Sequence, residues 1–229
     1  TAKELVATAF YARSCIQITR IAEILGYADD AARYAALRDH VIAGFLDRFI
    51  RLDGTMTSDT QCAYALAIAF GLLDGEPVRK VKAGNCLACL VRESGGKVST
   101  GFAGTPFVLP ALTQTGHDDE AYQLLTSTEC PSWLYQVTMG ATTTWERWDS
   151  MRPDRSLNPG GMTSFNHYAL GSRMDARAYR WLGNHRTWLE EVPCRPDCGR
   201  WTHRGLPLAY HPVRPCGSHL ANGYGRQHR

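Results

Sequence analysis

The residues of this 229-residue chain that could do chemistry are densest between Gly140 and Asp149. At the centre is a carboxylate between two indoles, in the order Trp145, Glu146, Arg147 and Trp148. Indole faces are flat apolar surfaces on which the C–H faces of a sugar can stack, and glycoside hydrolysis needs carboxyl groups beside the scissile bond. A structural glutamate between two core tryptophans explains the same pattern equally well.

Three further clusters combine aromatic residues with small polar residues or glycines. They are the segment Ser164 to Tyr168, which contains Asn166 and His167, the segment Pro131 to Tyr135, which contains Trp133, and the segment Thr100 to Pro106. Asn166 and His167 carry donors and acceptors suited to hydroxyl groups, and glycines permit close backbone approach. Each cluster alone fits a structural histidine, turn chemistry or core packing. Together they predict a site assembled from loops.

The elements that would position these clusters are helices, because apolar residues recur near a 3.6-residue period along most of the chain. The predicted helices are Lys3 to Leu25 with a stop at Gly26, a second capped by Asp29 or Asp30 and ending at Phe49, Thr60 to Leu73, Pro77 to Glu93, Phe107 to Gln114, Asp118 to Leu125 capped by Asp118 or Asp119, Ser132 to Met139, and Thr163 to Leu182. The third is almost uniformly apolar and should be buried on most sides. Val98 to Phe102 is predicted to be extended. Helices joined by loops of alternating length predict an all-α array of helical hairpins.

Five of these segments resemble, in the same order and at similar spacing, segments of bacterial α-L-rhamnosidases of glycoside hydrolase family 78. They are Thr60 to Ala67, Thr100 to Pro106, Pro131 to Trp133, Gly140 to Asp149 and Ser164 to Tyr168. The resemblance covers about residues 1–183. It implies a six-hairpin (α/α)6 toroid, of which this chain is the C-terminal portion and therefore a partial ring. It also implies hydrolysis of terminal α-L-rhamnosides with inversion.

The resemblance assigns roles to individual residues. Glu146 matches the general base of the family, and His167 looks like its substrate-contacting histidine. Trp145, Trp148 and Trp133 look like aromatic residues of the pocket wall, and Asn166 is a candidate for contact with sugar hydroxyls. The family's general acid lies in an upstream segment resembling Arg-Asp-Glu-Arg, which this sequence lacks. We therefore expect the 229-residue chain alone to be nearly inactive, and unstable or prone to aggregation.

Composition narrows the partners that the chain could have. The net charge of +3 is too small to predict a nucleic acid or an anionic membrane as partner, and no apolar run approaches the roughly 20 residues that cross a bilayer. The expected partner is a rhamnosylated small molecule or oligosaccharide.

We expect no metal or cofactor, and we interpret the paired Cys86 and Cys89 as structural because no second pair stands at zinc-finger spacing. The N-terminus has neither Met nor a signal peptide, so the location of the protein is open, as is its oligomeric state.

The last segment, residues 184–229, differs from the rest and is treated as a separate tail. It holds five of the eight histidines, five of the eleven prolines and seven arginines, but no Lys, Ile, Phe or Met. A segment so poor in large aliphatic residues buries little surface, which favours a disordered or poorly packed tail. A metal site from its cysteines and histidines fits no familiar zinc spacing. A third hypothesis is a shifted reading frame, which sequencing the gene would test.

Three other functions fit the same sequence. The first is another (α/α)6 glycosidase, such as a glucosidase or a trehalase relative, which a panel of nitrophenyl glycosides would distinguish. The second is a non-catalytic remnant that binds rhamnose or another carbohydrate, consistent with the missing acid. The third is a purely structural helical repeat protein, for which changes at Trp145, Glu146 or His167 would alter stability alone.

Overall fold

The computed structural model describes residues 1–171, which form α-helices joined by loops. This part of the chain contains α1 (Lys3–Leu25), α2 (Ala28–Phe49), α3 (Gln61–Ala69), α4 (Pro77–Glu93), α5 (Thr105–Gln114), α6 (Asp118–Thr126) and α7 (Trp133–Thr138). Within the same residues β-pairing is limited to two isolated antiparallel bridges, from Ile50 to Met56 and from Met151 to Leu157. The prediction of an all-α fold is confirmed. None of the helices so described is long and apolar enough to cross a membrane.

The helices pack as successive hairpins, α1 with α2, α3 with α4 and α5 with α6, and α7 follows as the start of the next. The first members of the hairpins form one row, because α3 packs against both α1 and α5, while α4 packs against α6 in a second row. Every residue of α3 from Gln61 to Ile68 is buried, so the predicted burial of this almost uniformly apolar helix is confirmed. Burial of apolar surface on all sides holds it in place.

The N-terminal ends of α1, α3 and α5 lie at the same end of the array. The hydroxyls of Thr1 and Thr60 are 2.7 Å apart at the starts of α1 and α3. Between α3 and α5 the backbone of Gly104 approaches Cys62 so closely that a Cβ atom there would stand 2.8 Å from the sulfur. The loops that precede these helices therefore meet at this end.

Gln61, buried in the first turn of α3, fixes the loop that leads into α5. Its side-chain amide donates to the carbonyl of Lys97 at 3.1 Å and accepts from the N–H of Ser99 at 3.0 Å. The hydroxyl of Thr105 then donates to the carbonyl of Gly101 at 2.9 Å. Burying the Gln61 amide costs little free energy, because both its oxygen and its nitrogen have hydrogen-bond partners. These bonds order the segment that leads into the candidate site.

The predicted helix caps are partly wrong. Gly26 does end α1 in the left-handed conformation, with φ of 78°. The residues that cap α2 and α6 are Tyr27 and His117, whereas the aspartates predicted as caps lie within the first turns (Asp29, Asp30, Asp118 and Asp119). Carboxylates interact favourably with the helix dipole throughout the first turn, so their presence does not identify the cap itself.

Two predicted helix ends also differ from the structure. α3 ends at Ala69 rather than Leu73, and Gly71 has a left-handed φ of 71°. The helix predicted from Thr163 to Leu182 is absent from residues 163–171, where backbone groups bond to another loop instead; the N–H of His167, for example, donates to the carbonyl of Thr144 at 2.8 Å. The rest of that prediction, the domain boundary at residue 183 and the whole tail lie outside the described residues.

Two loops, Arg51–Met56 and Arg152–Leu157, adopt the same six-residue turn. In each, the first N–H donates to the carbonyl of the fifth residue, at 2.8 Å and 2.9 Å, and the aspartate at the third position accepts from the N–H two residues later at 2.9 Å. The fourth residue is left-handed in both, Gly54 with φ of 82° and Arg155 with φ of 66°. A residue with a Cβ atom is strained at such a φ. The second turn, which has Arg155 at this position, is therefore less stable than the first, which has Gly54.

Replacing Arg155 by glycine should therefore stabilise the protein, because it gives the second turn the residue that the first already has. We expect a gain of about 1 kcal/mol in the free energy of unfolding and a rise of a few degrees in the thermal midpoint. Arg155→Ala is the matched control, since it removes the side chain and keeps the strain. A lower midpoint for Arg155→Gly than for Arg155→Ala would contradict the interpretation.

Candidate active site

The candidate site is a cleft of about 340 Å³ at the end of the array where the loops before α5 meet the loops after α7. Its lining contains a continuous run of charged and aromatic residues together with glycines and apolar side chains. The lining residues are Thr100, Gly101, Phe102, Glu146, Arg147, Trp148, Asp149, Gly161, Met162 and Leu170. Two of the four sequence clusters, Thr100 to Pro106 and Gly140 to Asp149, thus contribute residues to this lining.

Two larger clefts, of about 540 and 490 Å³, lie elsewhere on the described chain. The larger contains the carboxylates of Asp39, Asp74 and Glu76. Each of these carboxylates lies within 4 Å of an arginine or lysine nitrogen. The cleft beside Glu146 is smaller, but it contains a carboxylate that pairs with no cation among residues 1–171, together with the half-buried indole of Trp148. We therefore assign the site to it.

Glu146 is held by the loop that contains Ser164. The N–H of Glu146 donates to the carbonyl of Ser164 at 2.8 Å, and the N–H of Ser164 donates back to Oε2 of Glu146 at 3.2 Å. The bond from His167 to the Thr144 carbonyl continues this pairing of the two loops. One carboxylate oxygen is therefore fixed by a backbone donor, and Oε1 has no hydrogen-bond partner in the described part of the chain.

A second carboxylate in the cleft belongs to Asp149, and both of its oxygens accept hydrogen bonds from neighbouring side chains. Arg147 forms a two-pronged ion pair with it, at 2.6 Å from Nε and 3.2 Å from Nη2, and Asn158 donates to it at 2.7 Å. The guanidinium also donates to the carbonyl of Gly161 at 3.3 Å. Arg147 is therefore neutralised by Asp149 rather than by Glu146, and Asp149 acts as an acceptor within a rigid cleft wall.

The three tryptophans of the prediction have different positions. Trp148 lines the cleft and meets Trp133 edge to face, with ring centroids 5.4 Å apart. Trp133 lies behind it and donates from Nε1 to the carbonyl of Leu170 at 2.9 Å. Trp145 is 2% exposed, packs edge to face on Phe165 and is not part of the cleft lining. Its predicted place in the pocket wall is corrected by this burial, since the indole packs in the core against Phe165.

His167 and Asn166 lie beside the cleft and are not among its lining residues. The N–H of Ala169 donates to Nδ1 of His167 at 3.1 Å, so in the neutral imidazole the proton is on Nε2. The imidazole also stacks on Phe102, with ring centroids 5.5 Å apart. Asn166 has an exposed side chain, and its backbone N–H donates to the hydroxyl of Ser164 at 3.2 Å. The backbone of Asn166 therefore helps to order the Ser164 loop, which in turn binds Glu146.

Four residues that help to build the site were not predicted individually. Phe102 and Met162 line the cleft, Ser164 binds the Glu146 carboxylate through its backbone, and Gln136 accepts the N–H of Trp145 at 3.2 Å. Phe102 lies between two glycines of the segment Thr100 to Pro106, and an aromatic residue in such a segment is a sequence signal for a site residue. Ser164 acts through its backbone N–H and Gln136 is an ordinary helical residue, so the sequence alone does not indicate the role of either.

Two further titratable groups near this region are held neutral at ordinary pH. Burial raises the pKa of the Cys130 thiol, and the nearby Asp149 carboxylate adds to the effect. Burial also raises the pKa of the Tyr135 phenol, whose hydroxyl donates to the carbonyl of Met151 at 2.7 Å. Among residues 1–171 no group of three or more His, Cys, Asp or Glu side chains is arranged to hold a metal ion, and the cysteines and histidines of the tail lie outside that range.

Comparison with known proteins identifies a family for most of the chain. Residues 1–184 match the family described as the bacterial α-L-rhamnosidase 6 hairpin glycosidase domain. An α-L-rhamnosidase from Streptomyces avermitilis is 43% identical over 172 residues, covering 75% of this chain and 16% of that protein. One from Alteromonas sp. (strain LOR) is 39% identical over 170 residues, covering 73% of this chain and 18% of that protein.

Solved structures give the same result for the fold. The native α-L-rhamnosidase of Aspergillus terreus superimposes with a TM-score of 0.72 at 41% identity, and the Streptomyces avermitilis enzyme complexed with L-rhamnose with a TM-score of 0.70 at 43% identity. Each match covers 75% of this chain, and 20% and 16% of those chains. This chain therefore spans a fifth or less of the length of these relatives, and the predicted six-hairpin glycosidase fold is confirmed.

Proposed function

This chain belongs to the bacterial α-L-rhamnosidase six-hairpin glycosidase family, and from that membership we propose that it contributes the general base of an enzyme hydrolysing terminal α-L-rhamnose residues. The observation that carries the proposal is the geometry of Glu146. It lines an open cleft beside Trp148, one of its carboxylate oxygens is held by the Ser164 N–H, and the other has no partner among residues 1–171. A carboxylate held in this way can take a proton from a bound water.

In the proposed mechanism the rhamnose ring lies in the cleft and Glu146 activates a water on the face opposite the leaving group. Inverting glycosidases place the two carboxyl groups roughly 6.5–9.5 Å apart so that this water fits between them. Backbone fixation of the carboxylate supports the role, since general bases act best when they are prepositioned. Trp148 provides an apolar surface for the ring, with Trp133 packed behind it. Trp145 supports the loop from the core, and His167 and Asn166 are proposed to donate to sugar hydroxyls.

The proposed general acid is not part of this chain. The sequence lacks a segment resembling the family's acidic motif, and Asp149 is an unsuitable substitute because both of its oxygens already accept hydrogen bonds, from Arg147 and Asn158. The chain spans a fifth or less of its reported relatives, so we propose that the acid is contributed by further hairpins of a complete domain. The expected substrate remains a rhamnosylated small molecule or oligosaccharide.

The stereochemical outcome tests the mechanism directly. A chimera in which residues 1–171 replace the matched segment of the Streptomyces avermitilis relative should release L-rhamnose from an α-L-rhamnoside as the β anomer. Proton NMR during the first minutes separates the two anomers before they equilibrate. The α anomer as first product would exclude an inverting role for Glu146 and would require a covalent intermediate instead.

The absence of an acid motif also favours a second candidate, a non-catalytic module that binds rhamnose. In that case the isolated chain binds L-rhamnose, and Glu146→Gln does not change the activity of the chimera beyond an effect on stability. Activity of the chimera that depends on Glu146 would exclude this candidate.

A further inference from the structure

The cleft contains two apolar side chains whose exposure is not explained by packing. Phe102 is 41% exposed and Met162 is 59% exposed, and both line the cleft that contains Glu146. Exposed apolar surface inside a cleft is typical of a ligand contact. We call these two side chains the apolar pair.

Phe102 is held in place by its neighbours, and Met162 has an unusual backbone conformation. The ring of Phe102 stacks on His167, with planes 20° apart, and the His167 imidazole is itself fixed by the Ala169 N–H. Gln61 and Thr105 order the loop that carries Phe102. Met162 has a left-handed φ of 60°, a conformation that favours glycine, yet the residue extends a long apolar side chain into the cleft. Strained backbone of this kind concentrates at ligand sites.

Another part of the lining is polar, because it contains the charged side chains of Glu146, Arg147 and Asp149. A ligand that fits both parts must expose hydroxyl groups on one side and an apolar group on another. Rhamnose has this character because C6 is a methyl group, whereas the corresponding hexose, mannose, has a hydroxymethyl group there. Neither Phe102 nor Met162 offers a strong hydrogen-bonding group to a hydroxyl.

We propose that Phe102 and Met162 bind the C6 methyl group of the sugar and thereby select a 6-deoxyhexose against the hexose with the same ring configuration. This proposal rests on the proposed function, since it assumes that rhamnose occupies the cleft. A hydroxyl buried against apolar atoms without a partner loses about 1–3 kcal/mol, which corresponds to a preference of about 5- to 150-fold. Burial of one methyl group should contribute about fourfold to the affinity for rhamnose.

The test compares L-rhamnose with L-mannose, which differ only at C6, by ligand-observed NMR titration of the purified chimera in which residues 1–171 replace the matched segment of the Streptomyces avermitilis relative. The unsubstituted chimera should bind L-rhamnose at least about fivefold more tightly than L-mannose. Phe102→Ala should reduce that ratio, and so should Met162→Gly. Met162→Gly relieves the left-handed strain, so its thermal midpoint should not fall, and a loss of selectivity there cannot come from unfolding. Leu52→Ala, at an apolar loop residue that is 95% exposed and outside the cleft lining, is the control that should leave the ratio unchanged.

The outcomes separate the two proposals. If neither sugar binds, the proposed function fails, and the apolar pair has no sugar to select. If both sugars bind with equal affinity, or if Met162→Gly and Phe102→Ala retain the full ratio, the proposed function stands and the role of the apolar pair is wrong.

Discussion

Glu146→Gln, introduced into the chimera with the Streptomyces avermitilis relative, should lower kcat for rhamnoside hydrolysis by at least about 10²- to 10⁴-fold, because a positioned general base contributes that much. The amide has nearly the shape of the carboxylate and can still accept the Ser164 N–H through its oxygen, so the loop should stay in place. It cannot take a proton from water. KM should therefore change little, since the change removes a function needed only in the transition state.

The control for this prediction is Glu23→Gln, an exposed glutamate on α1 that pairs only with Arg20 among the described residues. It should leave kcat unchanged. The thermal midpoint of the Glu146→Gln chimera should stay within a few degrees of the unsubstituted one, which separates lost chemistry from lost fold. Activity of the Glu146→Gln chimera close to that of its parent would remove Glu146 from the proposed role.

The second large effect concerns an apolar stripe on α1, formed by Tyr11, Ile18, Ile21 and Leu25, all exposed in residues 1–171. Tyr11, Ile18 and Leu25 are seven residues apart and therefore lie on one side of the helix, with Ile21 between them. In a six-hairpin domain this side is suited to packing against a preceding hairpin. We expect the isolated 229-residue chain to aggregate through the stripe, since exposed patches of this kind promote association.

A charge in the stripe should have opposite effects in the two contexts. Ile21→Lys should increase the soluble, monomeric fraction of the isolated chain, as measured by size-exclusion chromatography. In the chimera the same change places an unpaired charge in a packed interface and should reduce the free energy of unfolding by about 3–5 kcal/mol. Leu52→Lys, at a loop residue that is 95% exposed, should have little effect in either context. A stripe that tolerates Ile21→Lys in the chimera would not be an interface.

Much of the fold could be predicted from the sequence, because the signals for helices are local. The apolar period of α1 and the glycine after it fix that helix at Lys3–Leu25, the predicted range. The uniformly apolar composition of α3 correctly predicts its burial. The helix prediction was wrong where tertiary hydrogen bonds compete with local helix propensity. At residues 163–171 the backbone bonds to the loop that contains Glu146 instead of forming a helix.

The candidate site was also predicted only in part from the sequence. The order and spacing of residue types were enough to identify the family and to select Glu146, Trp148 and the loops around them, because these features lie along the chain itself. Only the tertiary structure decided which side of each loop faces the cleft: Trp145 is buried while Trp148 is in the lining, and Phe102 and Met162 join it. It also decided that Arg147 pairs with Asp149 and that a backbone N–H holds Glu146. Most of those outcomes depend on contacts between segments distant in the chain, such as Phe102 with His167 and Glu146 with Ser164, and the energies of such contacts are set by packing rather than by local sequence.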